Sequence, residues 1–152
     1  MGKTYIRVDD RLVHGQIMTN WIGNLNINQI LVVDDKTATN SMLKSIMLMA
    51  IPKNISSDVI SIDNLNDETI QNGSNCLIIV KYPSAIPEVI KKIKNISKVI
   101  VGTVVDQEGS RKITKHVYLT EEYENALNFA KEHCEVSLQQ LPDSSSVPWQ
   151  GV

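Results

Sequence analysis

The chain has little with which to cross-link itself or to attract a partner by bulk charge. Its 152 residues include two cysteines, Cys76 and Cys134, too few for a disulfide framework, and reduced thiols are the default in the cytosol. Lys plus Arg is 15 against 17 acidic residues, a net charge of −2, which leaves no basic footprint for nucleic acid. No apolar run approaches the roughly 20 residues that a bilayer-spanning helix needs. The opening MGKTYIRVDD lacks the apolar segment of a secretory signal, which predicts a cytosolic chain, and Ile6 stands where a myristoylation site requires Ser or Thr. The seven glycines form neither GxGxxG nor GxxxxGKS/T, and there is no GxSxG elbow. His133 and Cys134 are adjacent, a poor ligand spacing, and no second His/Cys pair accompanies them, so no metal and no cofactor is expected. Phenylalanine occurs once, while Ile, Val and Leu are plentiful, as suits a core of β-branched strands and aliphatic helices.

Five apolar runs are present: TYIRV (4–8), QILVVD (29–34), DVISI (58–62), CLIIVKY (76–82) and KVIVGT (98–103). Helical spacing follows each of the first four, in QIMTNWIGNL (16–25), TATNSMLKSIMLMAI (37–51), NLNDETIQNG (64–73) and IPEVIKKIK (86–94). In the second of these, Met42, Ile46, Met49 and Ala50 share a face, and the methionines at 42, 47 and 49 read as core packing. Pro52, Gly73 and Pro87 fall where helices end or begin. Continuous Val/Ile/Leu strands are buried on both faces, and their alternation with helices predicts βαβ crossovers. After Gly109 the pattern changes: KHVYLT (115–120) and EVSLQQL (135–141) read as strands around the helix EEYENALNFAKEH, with Thr120 and Tyr123 a partial capping signal. The tail PDSSSVPWQGV reads as irregular. The expectation is one α/β domain over residues 1–152, a doubly wound and mostly parallel sheet with helices on both faces and a late strand antiparallel.

Such sheets bind ligands in the crevice at the carboxyl ends of the strands. Candidates therefore follow the strands: Asp9 to Gln16, Asp34 to Thr37, Asp63, Tyr82 to Ser84 and Thr103 to Glu108. The segment IRVDDRLVHGQ (6–16) is the densest of them. His14 lies between the first strand and the first helix, where unpaired N–H groups and the helix dipole favour an anion such as phosphate. Gly15 allows close approach of the backbone. Arg11 could offer a forked cation to phosphate oxygens. Asp9 could accept from one imidazole nitrogen, fix the tautomer and leave the other free to attack. Gln16 could donate to a phosphoryl oxygen, or simply cap the helix. Arg7, charged and within a strand, needs a partner: pairing with Asp9 or Asp35 and direct phosphate contact are both open. The plain alternative for His14 is a hydrogen-bonded surface residue, and spacing alone does not choose between the two.

The stretch IRVDDRLVHGQI resembles the signature R-I/V-D-x-R-L-I/V-H-G-Q-I/V of the IIB components of the mannose/fructose/sorbose-type phosphotransferase system, with a tryptophan a few residues on, here Trp21. ILVVDD followed by Ala38, MLMAIP (47–52), and VYLTEEYENAL leading to a last strand and Pro142 extend the resemblance over nearly the whole chain. It implies a protein-Nπ-phosphohistidine–sugar phosphotransferase subunit. His14 would accept a phosphoryl group from the phosphohistidine of a IIA protein or domain and donate it to a sugar arriving through the membrane subunits IIC and IID. Phosphoenolpyruvate would be the upstream donor, and no nucleotide is used. It also implies a cytoplasmic protein held at the inner face of the membrane through IIC and IID, with His14, Arg11 and Asp9 catalytic and Gly15, Gln16 and Arg7 around the phosphate. Apolar helix faces would permit a homodimer.

Two positions depart from the family pattern. Ile100-Val101-Gly102-Thr103 replaces a common Asn-x-Gly-Gly, and Asp34 stands where a small polar residue often precedes the family's Asp. A carboxylate at 34 would repel a phosphoryl group unless it points away. Asp10 matches a variable position and reads as solvated. Trp21 reads as core or partner-facing, His116 as a strand residue, His133 as a helix-end residue, and Lys91, Lys92 and Lys94 as a solvated face. Two other functions fit parts of the sequence. In a receiver domain ILVVDD would bind Mg²⁺, but that strand would come first in the chain, and an acceptor aspartate is missing where Val80 and Lys81 stand. A non-catalytic binding or regulatory module on the same sheet would not need His14 at all.

Overall fold

The computed structural model describes residues 2–151, the side chain of Gln16 excepted. The five apolar runs form β1 (Thr4–Asp9), β2 (Gln29–Val33), β3 (Ser56–Ile60), β4 (Cys76–Val80) and β5 (Lys98–Thr103). With β8 (Glu135–Leu138) and β9 (Val147–Pro148) they make one sheet in the order β3-β2-β4-β1-β5-β8-β9. All pairings are parallel except the last, β8 with β9. The expected α/β architecture, with its antiparallel late strand, is therefore what the chain forms.

Strand periodicity divides the core in two. On β4, Cys76, Ile78 and Val80 point into one cluster while Leu77 and Ile79 point into the other. On β2, Leu31 and Val33 oppose Ile30 and Val32 in the same way. The first cluster is covered by α4 (Ile86–Lys92) and α5 (Glu121–Lys131), which contribute Ile86, Val89, Tyr123 and Leu127. The second is covered by α1 (Gly15–Leu25), with Met18, and by the loop residues Leu12 and Val13. Burial of these side chains, at about 25 cal/mol per Å² of apolar surface, is what holds the helices on the sheet.

Several local expectations need correction. Residues 64–73 form no α-helix: two 3₁₀ turns, Ile62–Asn64 and Asp67–Thr69, occupy the connection. Asn66 accepts from the Glu68 N–H and Thr69 closes a capping box on it, so short polar side chains satisfy the backbone locally and compete with a longer helix. The segment 37–51 divides into α2 (Asp35–Ala38) and α3 (Ser41–Ala50), each capped by its own Asx side chain, Asp34 and Asn40. On α3 the face read as core faces outward: Met42 is 71 % exposed, Ile46 49 % and Met49 84 %. Met47 and Leu48 pack against the sheet instead. This helix is apolar around most of its circumference, so spacing alone does not select the stripe that is buried.

The chain after β5 also makes a two-stranded ribbon, β6 (Arg111–Thr114) and β7 (Val117–Leu119), with the unanticipated β6 pairing antiparallel to β7. His116 lies in the turn between them, not on a strand. The tail is less irregular than expected: β9 adds to the sheet edge, and Trp149 is buried with its indole N–H donating to Asn128 Oδ1 at 2.9 Å. Thr120 caps α5 by accepting from the Tyr123 N–H, as its position implied.

Candidate functional site

Strand β1 is central, with β4 on one side and β5 on the other. The chain leaves β1 toward β2 and leaves β5 toward β8, in opposite directions along the sheet. The carboxyl ends of β1 and β5 thus border a topological switch point, where a crevice opens. The loop after β1 lies there, with the Asp10 N–H donating to the Thr103 carbonyl at 3.1 Å.

Tight local bonding shapes this loop. The Leu12 N–H donates to the Asp9 carbonyl at 2.9 Å, and the Arg11 N–H donates to Asp9 Oδ1 at 3.1 Å. Leu12 takes φ +60°, a left-handed conformation that a branched side chain adopts only when its surroundings impose it. Burial of Leu12 and Val13 in the core beneath α1 is that imposition. Gly15 has φ +44°, with open space where a Cβ would lie, so the glycine is required by backbone conformation and not by crowding. His14 is the N-cap of α1, and its side chain is free of capping duty.

The polar centre is assembled on the α1 side of β1, where Arg7 and Asp9 share a face by the two-residue period. Asp9 Oδ2 lies 3.1 Å from His14 Nε2 and accepts from Arg7 Nη2 at 3.2 Å. The Asp9 side chain is 1 % exposed and the His14 side chain 21 %. Arg7 is wholly enclosed: Nη2 also donates to the Gln140 carbonyl at 3.1 Å and Nη1 to the Gln139 carbonyl at 3.4 Å. Burial pulls its guanidinium below the ordinary value, against the charge and hydrogen bond of Asp9. Trp21 lies over the guanidinium, 5.3 Å from Cζ to the ring centre, and its indole N–H donates to the Gln140 carbonyl at 2.8 Å.

The structure brings Arg7, Asp9 and His14 together; of the two roles open to Arg7 it shows the pairing with Asp9, with the guanidinium enclosed. Asp35 is not its partner; its Oδ1 accepts from the Ile62 N–H. Arg11 is exposed beside them, and Gly15 opens α1. The side chain of Gln16 lies outside the described residues. Asp10 is not simply solvated: its Oδ1 is buried without a hydrogen-bond partner, and burial, followed by the charge of Asp9, pushes its carboxyl above the ordinary value.

Asp34 points away from His14. Its carboxylate accepts from the Thr37 N–H and hydroxyl at the start of α2, just after β2, which β4 separates from β1. His133 bonds the Phe129 carbonyl through Nδ1. His116 lines a cavity of about 340 Å³ with Gly102, Gln139 and Gln140. Among the described residues no cluster of three or more His, Cys, Asp or Glu side chains could hold a metal ion. Sequence reasoning missed the carbonyls of Gln139 and Gln140. Backbone acceptors more than a hundred residues away leave no mark in side-chain pattern.

Known proteins resemble this chain in sequence and in fold. The family model described as the sorbose subfamily IIB component of the PTS matches residues 3–152. A fructose-specific EIIB component of Bacillus subtilis is 31 % identical over 150 residues, covering 96 % of this chain and 92 % of the relative. A mannose-specific EIIAB component of Escherichia coli is 24 % identical over 118 residues, covering 76 % of this chain and 36 % of that longer protein. A solved structure titled as a phosphoenolpyruvate-dependent phosphotransferase system superposes with a TM-score of 0.84 at 29 % identity, covering 98 % of this chain and 95 % of the other. With a family model spanning all but its first two residues, the chain belongs to the sorbose subfamily of IIB components of the sugar phosphotransferase system.

Proposed function

We propose that this IIB component carries a phosphoryl group on His14, receiving it from the phosphohistidine of a IIA protein and passing it to a sugar during uptake through IIC and IID. The observation that carries the assignment is the Asp9–His14 contact at 3.1 Å. With Nε2–H donated to a buried carboxylate, the neutral ring has its lone pair on Nδ1, which no described residue hydrogen-bonds. Nδ1 is then the nucleophile.

In the first transfer Nδ1 attacks the donor's phosphorus in line. A new N–P bond forms while the N–P bond of the donor breaks, and its electron pair returns to the donor imidazole. In the second, a sugar hydroxyl oxygen attacks the phosphorus on His14 and gives its proton to solvent. The N–P bond breaks and the ring regains its lone pair. Such transfers depend on alignment and charge neutralisation more than on further covalent help. Arg11 and the first amides of α1, at Gly15 and Gln16, would neutralise the equatorial oxygens. The IIA partner agrees with the joined name of the EIIAB relative. On this reading the protein works at the cytoplasmic face beside the membrane subunits; no described helix is long and apolar enough to cross a membrane.

The test is incubation with phosphoenolpyruvate, the general phosphotransferase proteins and a IIA protein, followed by mass spectrometry under conditions that preserve acid-labile phosphate. One phosphoryl group on His14, absent in His14→Ala, is expected. Its appearance on His116 or His133 would sink the proposal.

A further inference from the structure

The fit between β1 and β5 contains one irregularity beside the site. Val8 pairs with Val101, but Asp9 pairs with Thr103, so Gly102 is the extra residue of a β-bulge. A methyl group built on Gly102 would lie 2.6 Å from Cζ of Arg7 and 2.8 Å from its Nη1, distances that real side-chain carbons do not adopt. The guanidinium fills the place of the missing side chain.

We infer that Gly102 and Trp21 are positioning residues for transfer at His14, acting through Arg7 and Asp9 without touching the phosphoryl group. This rests on His14 as the acceptor and adds what holds its ring in one tautomer. Gly102 forms one wall of the slot and Trp21 another. The Gln140 carbonyl, accepting from both the Trp21 indole and Arg7 Nη2, ties that second wall to the cation. Arg7 Nε has no partner, so the guanidinium is aimed by its Nη contacts and by these walls alone. Aimed in this way, Nη2 fixes Asp9 Oδ2, and Oδ2 fixes the Nε2–H of His14. Outer partners of this kind set the tautomer and orientation of an imidazole. A methyl group at position 102 displaces the cation, frees Oδ2 to turn, and lets the ring proton move to Nδ1, the atom that must attack.

The test compares the whole protein with Gly102→Ala and Trp21→Phe, and with Gly23→Ala as a control, since a Cβ at Gly23 meets nothing within 4 Å. The ¹⁵N shifts of the unphosphorylated His14 ring report the tautomer, amide spectra report folding, and transfer from phospho-IIA is timed in parallel. In both variants the Nδ1–H share should rise and transfer should slow about tenfold or more, with Gly23→Ala unchanged. An unchanged tautomer in folded variants overturns the inference whether or not the rate falls, and so does an equal shift in Gly23→Ala. A shift in one variant alone overturns the role of the other residue. Should Gly102→Ala fail to fold, Trp21→Phe decides by the same two readouts. If phosphate maps away from His14 in the wild type, the acceptor assignment fails, while the tautomer comparison, made without any donor, still decides the positioning claim.

Discussion

Asp9 and His14 meet through a single oxygen, Oδ2, which lies 3.1 Å from Nε2 on a carboxylate that also carries the charge opposite Arg7. Two jobs, the proposed orienting of His14 and the pairing of Arg7, therefore rest on one buried group. Asp9→Asn tests both. The rate of phosphoryl transfer should fall by at least about 10²-fold, because the ring loses its fixed orientation. Stability should fall by about 3–5 kcal/mol, because a buried guanidinium is left without its counter-ion. Stopped transfer assays and denaturant unfolding of the same preparation would check both; loss of rate with full stability would contradict the structural half.

Arg11 presents the opposite case. Its backbone N–H anchors the loop through Asp9 Oδ1, while its side chain is exposed. Arg11→Ala keeps that N–H, so unfolding should stay within about 0.5 kcal/mol of the wild type. Transfer from phospho-IIA should slow by roughly 10²-fold as the transferring oxygens lose a cation. An undiminished rate would remove Arg11 from the mechanism.

Asp10 makes stability depend on pH. Its carboxyl is held above the ordinary value, chiefly by burial and next by the charge of Asp9. The folded state therefore binds its proton more readily than the unfolded chain does, and stability falls as pH rises from the ordinary carboxylate value through the raised one. Above that window the cost is fully present; below it there is none. Asp10→Asn should unfold at a higher temperature than the wild type at neutral pH, and the gap should close at acid pH. A constant gap across the range would show that the carboxyl's ionisation is not its cause.

The two thiols should be slow to react. Burial pushes Cys76 up to about 12, and burial with the charge of Glu135 also raises Cys134. Since the thiolate is the nucleophile, a disulfide reagent at neutral pH should label Cys134 slowly and Cys76 only on unfolding. Rapid labelling of Cys76 in the folded protein would mean that β4 opens.

Much of this protein is written in short-range pattern. Apolar runs of five to seven residues alternating with helical spacing determine a parallel sheet, because only strands covered on both faces can be continuously apolar. The loop IRVDDRLVHGQ carries the proposed acceptor, its carboxylate and its glycine close together, since a histidine aligned to a helix start needs its partners nearby in sequence. Tertiary structure decided what depends on groups distant along the chain or on choosing one apolar face among several. Spacing did not tell that Met42 and Met49 of α3 would face water while Met47 packed. Nor did it tell that Arg7 would be enclosed between Gly102, Trp21 and the carbonyls of residues 139 and 140. Those acceptors are backbone atoms, identical in every residue, and the slot at Gly102 is an absence of atoms. Neither becomes visible until β5 and β8 lie against β1.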